Sequence, residues 1–315
     1  MAEVRVRLLR GWRDLEACVR VQREVWGHAD LDITPVHNLC ISIETGAILL
    51  GAFVGREMTG YVYSFPAVRN GECCQHSHHL AVLPAYRGRK IGTALKRAQW
   101  IEALRRGTRL ITWTYDPMQA LNANLNLHAL GAIGRIYLDD FYGPTPALTL
   151  DAGVPTDRLL LEWRIATPRV RARMAGGRPS PDGGRGYRLC PGVQFRRDGS
   201  SFDPARIVRA VEMKPGGEYP AIVPGPPDLD RTEPRLLVEL PRNIRDLKTT
   251  PGLIGRWQKA VRTAFKHYFA AGYRLDDFIA GERSFYVLKR PAKRGGFGKS
   301  VTRSTEFSDV PSGNR

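Results

Sequence analysis

Residues 4–165 alternate between short apolar runs and amphipathic stretches with helical spacing, and this order constrains the fold more than any other feature. Strand-like runs occupy 4–9, 47–54, 60–65, 75–83, 110–114, 133–138 and 159–163, and helical spacing occupies 12–26, 91–106 and 119–130. Strands that follow one another through short turns pair as hairpins, whereas the later strands alternate with helices. The order predicts an α/β (α+β) fold with a mixed, mostly antiparallel central sheet and helices on both faces.

The second half of the chain has a different composition. Residues 166–234 are rich in Gly, Pro and Arg, which predicts a linker or irregular segment with one short helix at 204–211. Residues 235–290 predict a smaller strand-helix-strand unit, and the basic, Gly- and Ser-rich residues 291–315 predict a disordered tail. We therefore expect four parts: a folded domain at 1–165, the linker, the C-terminal unit and the tail.

The chain has a net charge of +17, which its two halves share unequally. Residues 1–165 contain 19 Lys and Arg against 16 Asp and Glu, whereas residues 166–315 contain 29 against 15. Segments 166–200 and 283–315 each contain 8 cations and 2 acids. Basic segments can bind nucleic-acid phosphates, but these lack interleaved aromatic residues and any docking motif. We expect flexible basic segments attached to a nearly neutral domain rather than a nucleic-acid partner.

Cysteine usage and hydropathy indicate the compartment. Five cysteines, an odd number in a chain of 315 residues, do not form a disulfide framework. The first residues contain no signal-peptide apolar stretch, and the most apolar run, 47–54, is far shorter than the ~20 residues of a membrane helix. We expect a cytoplasmic protein without a membrane span.

The segment 79–95 joins a strand to a helix through a short turn rich in Arg and Gly. Such a turn directs several backbone N–H groups to one point, where the helix dipole adds positive character. Arg87, Arg89 and Lys90 add three cations around the same point. The turn is typical of a pyrophosphate site, although an ordinary strand-helix loop with exposed cations has the same pattern.

The same turn resembles the acetyl-CoA motif of the GNAT acetyltransferase superfamily, which reads Gln/Arg-x-x-Gly-x-Gly/Ala. Arg87, Ile91 and Gly92 occupy matching positions, and Lys90 stands where the motif has its first Gly. A side chain at that position can crowd the pyrophosphate or add a cation to it.

The resemblance covers residues 4–165 and includes the Trp-Thr-Tyr-Asp-Pro sequence at 113–117, while residues 235–288 resemble the C-terminal part of the same poorly characterised, two-part GNAT branch. It implies a GNAT-like fold, acetyl-CoA as co-substrate and an unidentified amine as acceptor. It also implies that the strand before the turn splays from its neighbour, so that its main chain pairs with the pantetheine arm and polarises the thioester carbonyl. The residues implied to bind acetyl-CoA are Leu80, Ala81, Val82, Arg87, Gly88, Arg89, Lys90, Ile91, Gly92, Thr93 and Asn122.

Acetyl transfer to an amine needs a base that removes a proton from the ammonium group. His76 and His78 are two residues apart on the predicted strand, so we expect them on one face, with Ser77 and His79 on the other. Some GNAT proteins also carry a base on this strand, and His76 or His78 is our candidate. Each imidazole can equally be a packed, hydrogen-bonded residue of the sheet. Two adjacent cysteines upstream leave zinc open, but no Cys-x-x-Cys pair completes a ligand set, and we expect no metal.

Many GNAT enzymes use a Tyr on the helix after the fifth strand as general acid, and Leu127 occupies about that position in this sequence. Tyr142 is our candidate for the acid that protonates the thiolate, with Tyr115 and Tyr137 as the other nearby tyrosines. Each of these tyrosines can also be an amphipathic core residue. CoA thiolate is a good enough leaving group for the acid to be dispensable.

Three functions are therefore compared. The leading hypothesis is an acetyl-CoA-dependent N-acyltransferase that works by direct transfer. A catalytically inactive CoA-binding module is the second, because Lys90 departs from the motif and the helix Tyr is missing. A nucleic-acid-associated basic protein is the third.

A four-residue sequence, Leu-Asp-Asp-Phe, occurs at 138–141 and again at 275–278. It indicates either a partial second copy of the first half or a chance recurrence, and we favour chance because no second acetyl-CoA turn accompanies it. In both cases we expect the C-terminal unit to pack on the first half and to shape the acceptor pocket.

Overall fold

The computed structural model describes residues 3–27, 30–143, 154–174, 223–248, 250–281 and 283–291, together with short strands between 189 and 214. The elements of the first part are β1 Val4–Leu8, α1 Trp12–Trp26, α2 Val36–Glu44, β2 Ile48–Val54, β3 Glu57–Arg69, β4 Glu72–Val82, α3 Ile91–Arg105, β5 Leu110–Tyr115, α4 Ala120–Ala123 with a π-helical continuation Asn124–Ala129, β6 Ile133–Leu138 and β7 Arg158–Arg164. Those that follow are α5 Pro168–Met174, β8 Leu189–Cys190, β9 Val193–Phe195, β10 Ser201–Phe202, β11 Arg209–Val211, β12 Met213–Lys214, β13 Val223–Pro224, β14 Arg235–Leu240, α6 Leu253–Ala270, β15 Arg274–Ile279 and β16 Ser284–Lys289.

Most of these strands belong to one sheet, in the order β1-β2-β3-β4-β5-β7-β6-β15-β16-β14-β11. Its neighbouring strands are antiparallel except for two parallel pairs, β4 with β5 and β11 with β14. The short strands β8 to β10 and β12 to β13 form two small separate sheets. The predicted mixed, mostly antiparallel sheet is confirmed.

Alternation along β2 places a different hydrophobic core on each face of the sheet. Leu49 and Phe53 pack with residues of α1 and α2, whereas Ile48 and Leu50 pack with residues of α3. The second of these cores continues into the C-terminal part of the chain, where it includes Trp257 of α6. Helices therefore cover both faces, as predicted.

The sequence patterns missed α2, α5 and β15. Strand β15 contains Asp276 and Asp277, two acids that interrupt its apolar pattern. Both are buried in the structure, where Arg169 and Arg173 of α5 form ion pairs with them. Because the arginines lie about a hundred residues earlier in the chain, the local pattern contains no sign of this compensation.

Two predictions in the second half have different outcomes. The predicted helix at 204–211 is wrong at its end, because Arg209–Val211 is strand β11 and pairs with β14. The edge of β14 pairs with these residues, so pairing between the strands overrides the helical spacing of the sequence. The predicted disordered tail falls almost entirely outside the described residues.

The C-terminal unit packs on the first half through β15 and α6. Leu275 of β15 pairs with Gly134 of β6, where a Cβ atom would lie 2.8 Å from a methyl group of Leu161 and 3.1 Å from one of Leu275. Glycine thus allows the two strands to approach closely. Helix α6 contributes Arg262, which forms an ion pair with the buried Asp157 at 2.8 Å.

The chain repeats one topology in two places. The segment β5-α4-β6-β7, which we call the first arm, has the strand order β5-β7-β6, and the segment β14-α6-β15-β16, the second arm, has the order β14-β16-β15. All neighbouring strands within each arm are antiparallel. The two arms meet edge to edge at β6 and β15 and so extend one sheet.

The recurring Leu-Asp-Asp-Phe sequence does not occupy equivalent positions in the two arms. Leu138 is the last residue of β6, whereas Leu275 is the second residue of β15. The glycines that precede these strands do correspond, since Gly131 and Gly272 have φ values of +77° and +85°. A repeated topology is thus present, while the four shared residues are out of register.

Candidate active site

Strands β4 and β5 pair over two residues and then separate. Gln75 lies opposite Ile111 and His76 opposite Thr112. Beyond His76, β4 continues to Val82 with β3 as its only strand partner in the described sheet. The separation leaves one edge of residues 80–82 open toward β5, as the family resemblance implied.

A β-bulge at His78 changes which side chains of β4 share a face. Ser64 of β3 lies opposite Ser77, and the next residue, Tyr63, lies opposite His79, so His78 has no register partner. An extra residue of this kind breaks the alternation of a strand. The rings of His78 and His79 consequently stack with centroids 4.3 Å apart. The prediction that His79 faces away from His78 is wrong for this reason.

Three imidazoles therefore lie on one face of the sheet. His76 donates or accepts a hydrogen bond at 3.1 Å with the Thr112 hydroxyl, and His79 does so at 2.8 Å with the Tyr61 hydroxyl. His78 lies against the ring of Phe65, with centroids 5.7 Å apart. Among residues 76–79, Ser77 is the one whose side chain faces α3, where it contacts Lys96 and Gln99.

Burial shifts the protonation of two of these rings. The pKa of His76 falls to about 4, mainly because the ring is buried and then because His78 is close. Burial also lowers the pKa of His78. Its side chain nevertheless remains exposed in the cavity. Both rings are neutral at pH 7, and His78 is the more exposed of the two.

The histidines line a cavity of about 240 Å³. Its wall consists of Trp26, Asp32, His76, Ser77, His78, His79, Thr114, Tyr142 and Arg158. The three candidate catalytic residues predicted from the sequence, two histidines and a tyrosine, are thus brought together in one cavity. Ser77 and Arg158 are almost completely buried, whereas Asp32 is exposed.

Tyr142 is held in this wall from three directions. Its hydroxyl lies 3.2 Å from the Thr114 hydroxyl, and its backbone N–H donates to the Thr156 hydroxyl at 2.9 Å. The guanidinium of Arg158 lies 5.1 Å from the centre of its ring. Tyr115 and Tyr137, the other candidate acids, are fully or largely buried elsewhere and do not line the cavity.

The predicted pyrophosphate turn forms the other end of β4. Gly88 and Lys90 both have left-handed backbones, with φ values of +78° and +61°. Lys90 precedes α3, whose first N–H groups have no intrahelical acceptor. Arg87 donates from Nε to the Val82 carbonyl at 3.3 Å, and Arg89 lies over the ring of Tyr86.

The remaining residues implied to bind acetyl-CoA fall into two groups. Ile91 is buried and anchors α3, while a Cβ atom on Gly92 would lie 3.9 Å from Leu80, so the helix start lies directly over the open strand. Thr93 is exposed on the first turn of α3. Asn122 is exposed on α4 and lies outside the cavity wall.

Lys96 of α3 is buried next to Ser77 of the cavity wall, and the sequence patterns did not predict this burial. Its Nζ atom donates to the Ser77 hydroxyl at 3.2 Å and to the Gln99 side-chain oxygen at 2.7 Å. It also lies 4.0 Å from the ring centre of Trp113 and 5.1 Å from that of Trp163. Burial lowers the pKa of Lys96 to about 7. An indole pair and two neutral oxygens thus surround a buried amine.

Sequence reasoning also missed Asp32, Thr114 and Arg158. Thr114 lies in the Trp-Thr-Tyr-Asp-Pro sequence but received no role there, and Asp32 and Arg158 belong to none of the motifs. The three residues lie on separate segments that only the fold brings together. The alternation of β5 is the one available signal, since Thr112 and Thr114 are polar residues two apart in an otherwise apolar strand.

Several other features of the described residues bear on function. No group of three or more His, Cys, Asp or Glu side chains is placed there to hold a metal ion. Each helix in the described ranges is too short or too polar to cross a membrane. Two described cations of the basic second half, Arg169 and Arg173, form ion pairs within the protein, and most of the cations in 166–200 and 283–315 fall outside the described residues.

Comparison with known proteins gives similarity at the level of structure. No family model and no curated protein matches the sequence. A protein assigned to the GNAT family from Desulfovibrio desulfuricans is 17% identical over 52% of this chain and 100% of its own, with a TM-score of 0.42. The PaiA N-acetyltransferase of Thermoplasma acidophilum, solved with coenzyme A, is 17% identical over 51% and 99%, with a TM-score of 0.36. The ribosomal-protein-S18-alanine N-acetyltransferase of Escherichia coli is 16% identical over 52% and 96%, with a TM-score of 0.42. These similarities cover about half of this chain and nearly all of each of the three proteins.

Proposed function

We propose that this protein is a GNAT-type N-acetyltransferase that moves the acetyl group of acetyl-CoA directly to an amine in the cavity. The observation that carries the proposal is the separation of β4 from β5 immediately after His76. It joins an open strand edge, a helix start suited to pyrophosphate and a polar cavity along a single strand. Each of these is a separate requirement of acyl transfer from a CoA thioester.

The two ends of β4 would hold different parts of acetyl-CoA. The N–H groups of residues 88–93 and the side chains of Arg87, Arg89 and Lys90 would bind the pyrophosphate, because helix starts and guanidinium groups both favour phosphate oxygens. The open edge at 80–82 would pair with the pantetheine arm. Its backbone donors would then polarise the thioester carbonyl near the bulge.

The cavity residues would carry the proton transfers. His78 accepts a proton from the ammonium group, with His76 as the second candidate, and the free amine attacks the thioester carbon. As the C–S bond breaks, Tyr142 gives its hydroxyl proton to the departing thiolate, and the second proton lost from nitrogen returns to Tyr142 through water. His78 then releases its proton to solvent. The products are an amide and CoA, and no covalent intermediate on the protein is needed.

Calorimetry with acetyl-CoA and CoA release with a panel of amines test this proposal together. We expect saturable binding and amine-dependent CoA release. Binding without turnover on any amine would identify an inactive CoA-binding module, and no saturable heat up to millimolar acetyl-CoA would contradict both functions. Arg87→Ala should weaken binding by roughly 3- to 10-fold. The matched control is Arg56→Ala, which removes an exposed arginine in the turn between β2 and β3.

A further inference from the structure

Arg158 is the one buried cation among the residues that line the cavity. Only 8% of the residue is exposed. Its Nη1 atom donates to the backbone carbonyl of Asp157 at 2.8 Å, and its guanidinium lies over Tyr142. In the described part of the chain it makes no ion pair within 4 Å. Since a guanidinium keeps its proton at every physiological pH, its charge is permanent.

Other buried ion pairs of this protein show what a structural arginine does instead. The buried carboxylate of Asp277 is paired with Arg173, and that of Asp157 with Arg262. Asp157 is the immediate neighbour of Arg158, yet its carboxylate points to α6 and leaves Arg158 only its backbone oxygen. The buried carboxyl of Asp116 accepts the N–H of Met118 at 2.8 Å, and the charge of Arg158 acts to lower its pKa, but the two side chains form no ion pair within 4 Å. A buried unpaired charge is costly unless a ligand completes it.

The same cavity contains an opposite charge. Asp32 lines the wall, is exposed and makes no hydrogen bond or ion pair among the described residues. The described wall of the cavity thus includes one fixed cation, one carboxylate and the neutral imidazoles of His76 and His78. A ligand that matches both charges carries an ammonium group and a carboxylate.

The size of the cavity limits the ligand. Its volume of about 240 Å³ is below the roughly 300–1,000 Å³ of clefts that hold drug-sized molecules. We propose that the acceptor is a small amine that bears a carboxylate, for which a free α-amino acid is the simplest form. Arg158 binds the carboxylate as a fork, and Asp32 attracts the ammonium group until a histidine removes its proton. This inference rests on the acetyltransferase function proposed above.

We compare each amino acid with its α-carboxamide as acceptor. The carboxamide keeps the α-amino group and the side chain, and a neutral amide replaces the charged α-carboxylate. Release of CoA is measured for each of the twenty amino acids and its amide. For the best pair we expect kcat/KM to be about 10- to 100-fold higher for the acid, in keeping with one charge-assisted bidentate contact. Arg158→Gln should remove this preference by lowering the acid's value and leaving the amide's nearly unchanged.

Two further variants separate the role of Arg158 from general damage. Asp32→Asn should lower kcat/KM for acid and amide alike, because both carry the ammonium group. Arg135→Gln, which removes an exposed arginine of β6, should leave both values and their ratio unchanged. Since the acid-to-amide ratio is a property of the folded fraction alone, partial misfolding of a variant does not alter it.

The outcomes also distinguish this inference from the function on which it rests. Equal turnover of acids and amides, with the same ratio in Arg158→Gln, would overturn the inference while the acetyltransferase function stands. Saturable acetyl-CoA binding with no turnover of any acid, and no calorimetric binding of any acid in the presence of CoA, would overturn it as well. Failure to bind acetyl-CoA would instead remove the proposed function itself.

Discussion

The two arms share one strand order but differ in how they treat buried charge. In the second arm, Asp276, Asp277 and Glu239 are buried and each is paired with an arginine. In the first arm, Arg158 is buried and forms no ion pair within 4 Å among the described residues. Lys96 of α3 is buried against the tryptophans of this arm, and its described acceptors are neutral oxygens. Unpaired buried charge reduces stability and is typical of functional sites. This difference supports the proposal that the first arm takes part in the chemistry and that the second arm stabilises it.

The second arm also has the longer helix and the more completely buried strands. Helix α6 of the second arm has 18 residues, of which nine are buried, including Trp257, Phe265 and Tyr268, whereas α4 has four residues before its π-helical continuation. Strands β14 and β15 are buried at all but their first residue. Strand β5 instead exposes Thr114 to the cavity. The second arm thus buries its strands more completely, whereas β5 of the first arm contributes a side chain to the cavity wall.

The largest expected effect is on activity and comes from the site beside the first arm. His78→Ala should lower kcat by about 10²- to 10⁴-fold, because a general base contributes that much, and should change the free energy of unfolding by less than about 1 kcal/mol. CoA release and urea unfolding measure the two quantities. The matched control is His37→Ala, an exposed histidine of α2 outside the cavity wall, which should change neither. Full activity in His78→Ala would show that His78 is not the general base. The base would then be His76 or a residue outside this strand.

The next largest effect should be on stability and should come from the second arm. Phe265 is fully buried and stacks on Phe269, with centroids 5.5 Å apart. Phe265→Ala should lower the free energy of unfolding by about 3–5 kcal/mol, because it removes a large side chain from a packed core. Phe141→Ala, at a site 46% exposed in the turn after β6, should lower it by less than about 1 kcal/mol. Equal losses in urea titrations would contradict the contrast between the arms.

A third prediction concerns the contact that joins the arms. Asp157 is fully buried and accepts from Tyr137 at 2.6 Å, from the N–H of Asp140 at 3.0 Å and from Arg262 of α6 at 2.8 Å. Arg262→Met should lower the free energy of unfolding by about 3 kcal/mol, because the buried carboxylate loses its counter-charge. It should also lower kcat, since the turn that Asp157 fixes carries Tyr142.

The control for that prediction is Lys266→Met, since Lys266 lies on the same helix as Arg262. This variant breaks a largely exposed ion pair between Lys266 and Asp139, which lies in the turn after β6. Exposed pairs contribute about 0–1 kcal/mol, so this variant should remain close to the parent protein in both stability and kcat. A double-mutant cycle with Asp157→Asn should give a coupling energy above about 1 kcal/mol for Arg262. A coupling near zero would show that the two arms are energetically independent at this contact.

The smallest expected effect is a difference in pH dependence. Burial lowers the pKa of Lys96 to about 7 in the folded protein, below the ~10.4 of an unfolded lysine. Between these values the unfolded chain binds the additional proton, so this group destabilises the fold increasingly as the pH falls from about 10 to 7. The free energy of unfolding, compared between the parent protein and Lys96→Met, should therefore differ with a slope of about 1.4 kcal/mol per pH unit over pH 7.5–9. A pH-independent difference would mean that Lys96 is not buried as an uncompensated amine.

Much of the fold could be predicted from local sequence. Helix α1 was predicted at its observed bounds because its apolar residues recur at helical spacing, and β6 because its apolar run is short and bounded by Gly and Asp. The bulge at His78 could not be predicted, since it depends on the register with β3. Without the bulge, strict alternation assigned His79 to the wrong face.

The candidate site divides in the same way. The histidines, Tyr142 and the turn at 87–92 belong to motifs or to strand positions that a sequence displays. Arg158 and Asp32 acquire their roles only from burial and from the neighbours that the fold supplies. The packing of the C-terminal unit on the first half was predicted, but its contact with Asp157 was not, because that contact joins residues about a hundred positions apart. The described cavity wall contains no residue of this unit, in contrast to the expectation that it shapes the pocket.

The central claim is that the space between the separated strands β4 and β5 is where acyl transfer occurs. A crystal structure of the protein with CoA tests it most directly. We expect the pyrophosphate of CoA at the N–H groups of residues 88–93, its pantetheine arm along the open edge at 80–82 and its thiol beside His78 and Tyr142. CoA bound at another surface, or a thiol remote from this cavity, would contradict the account.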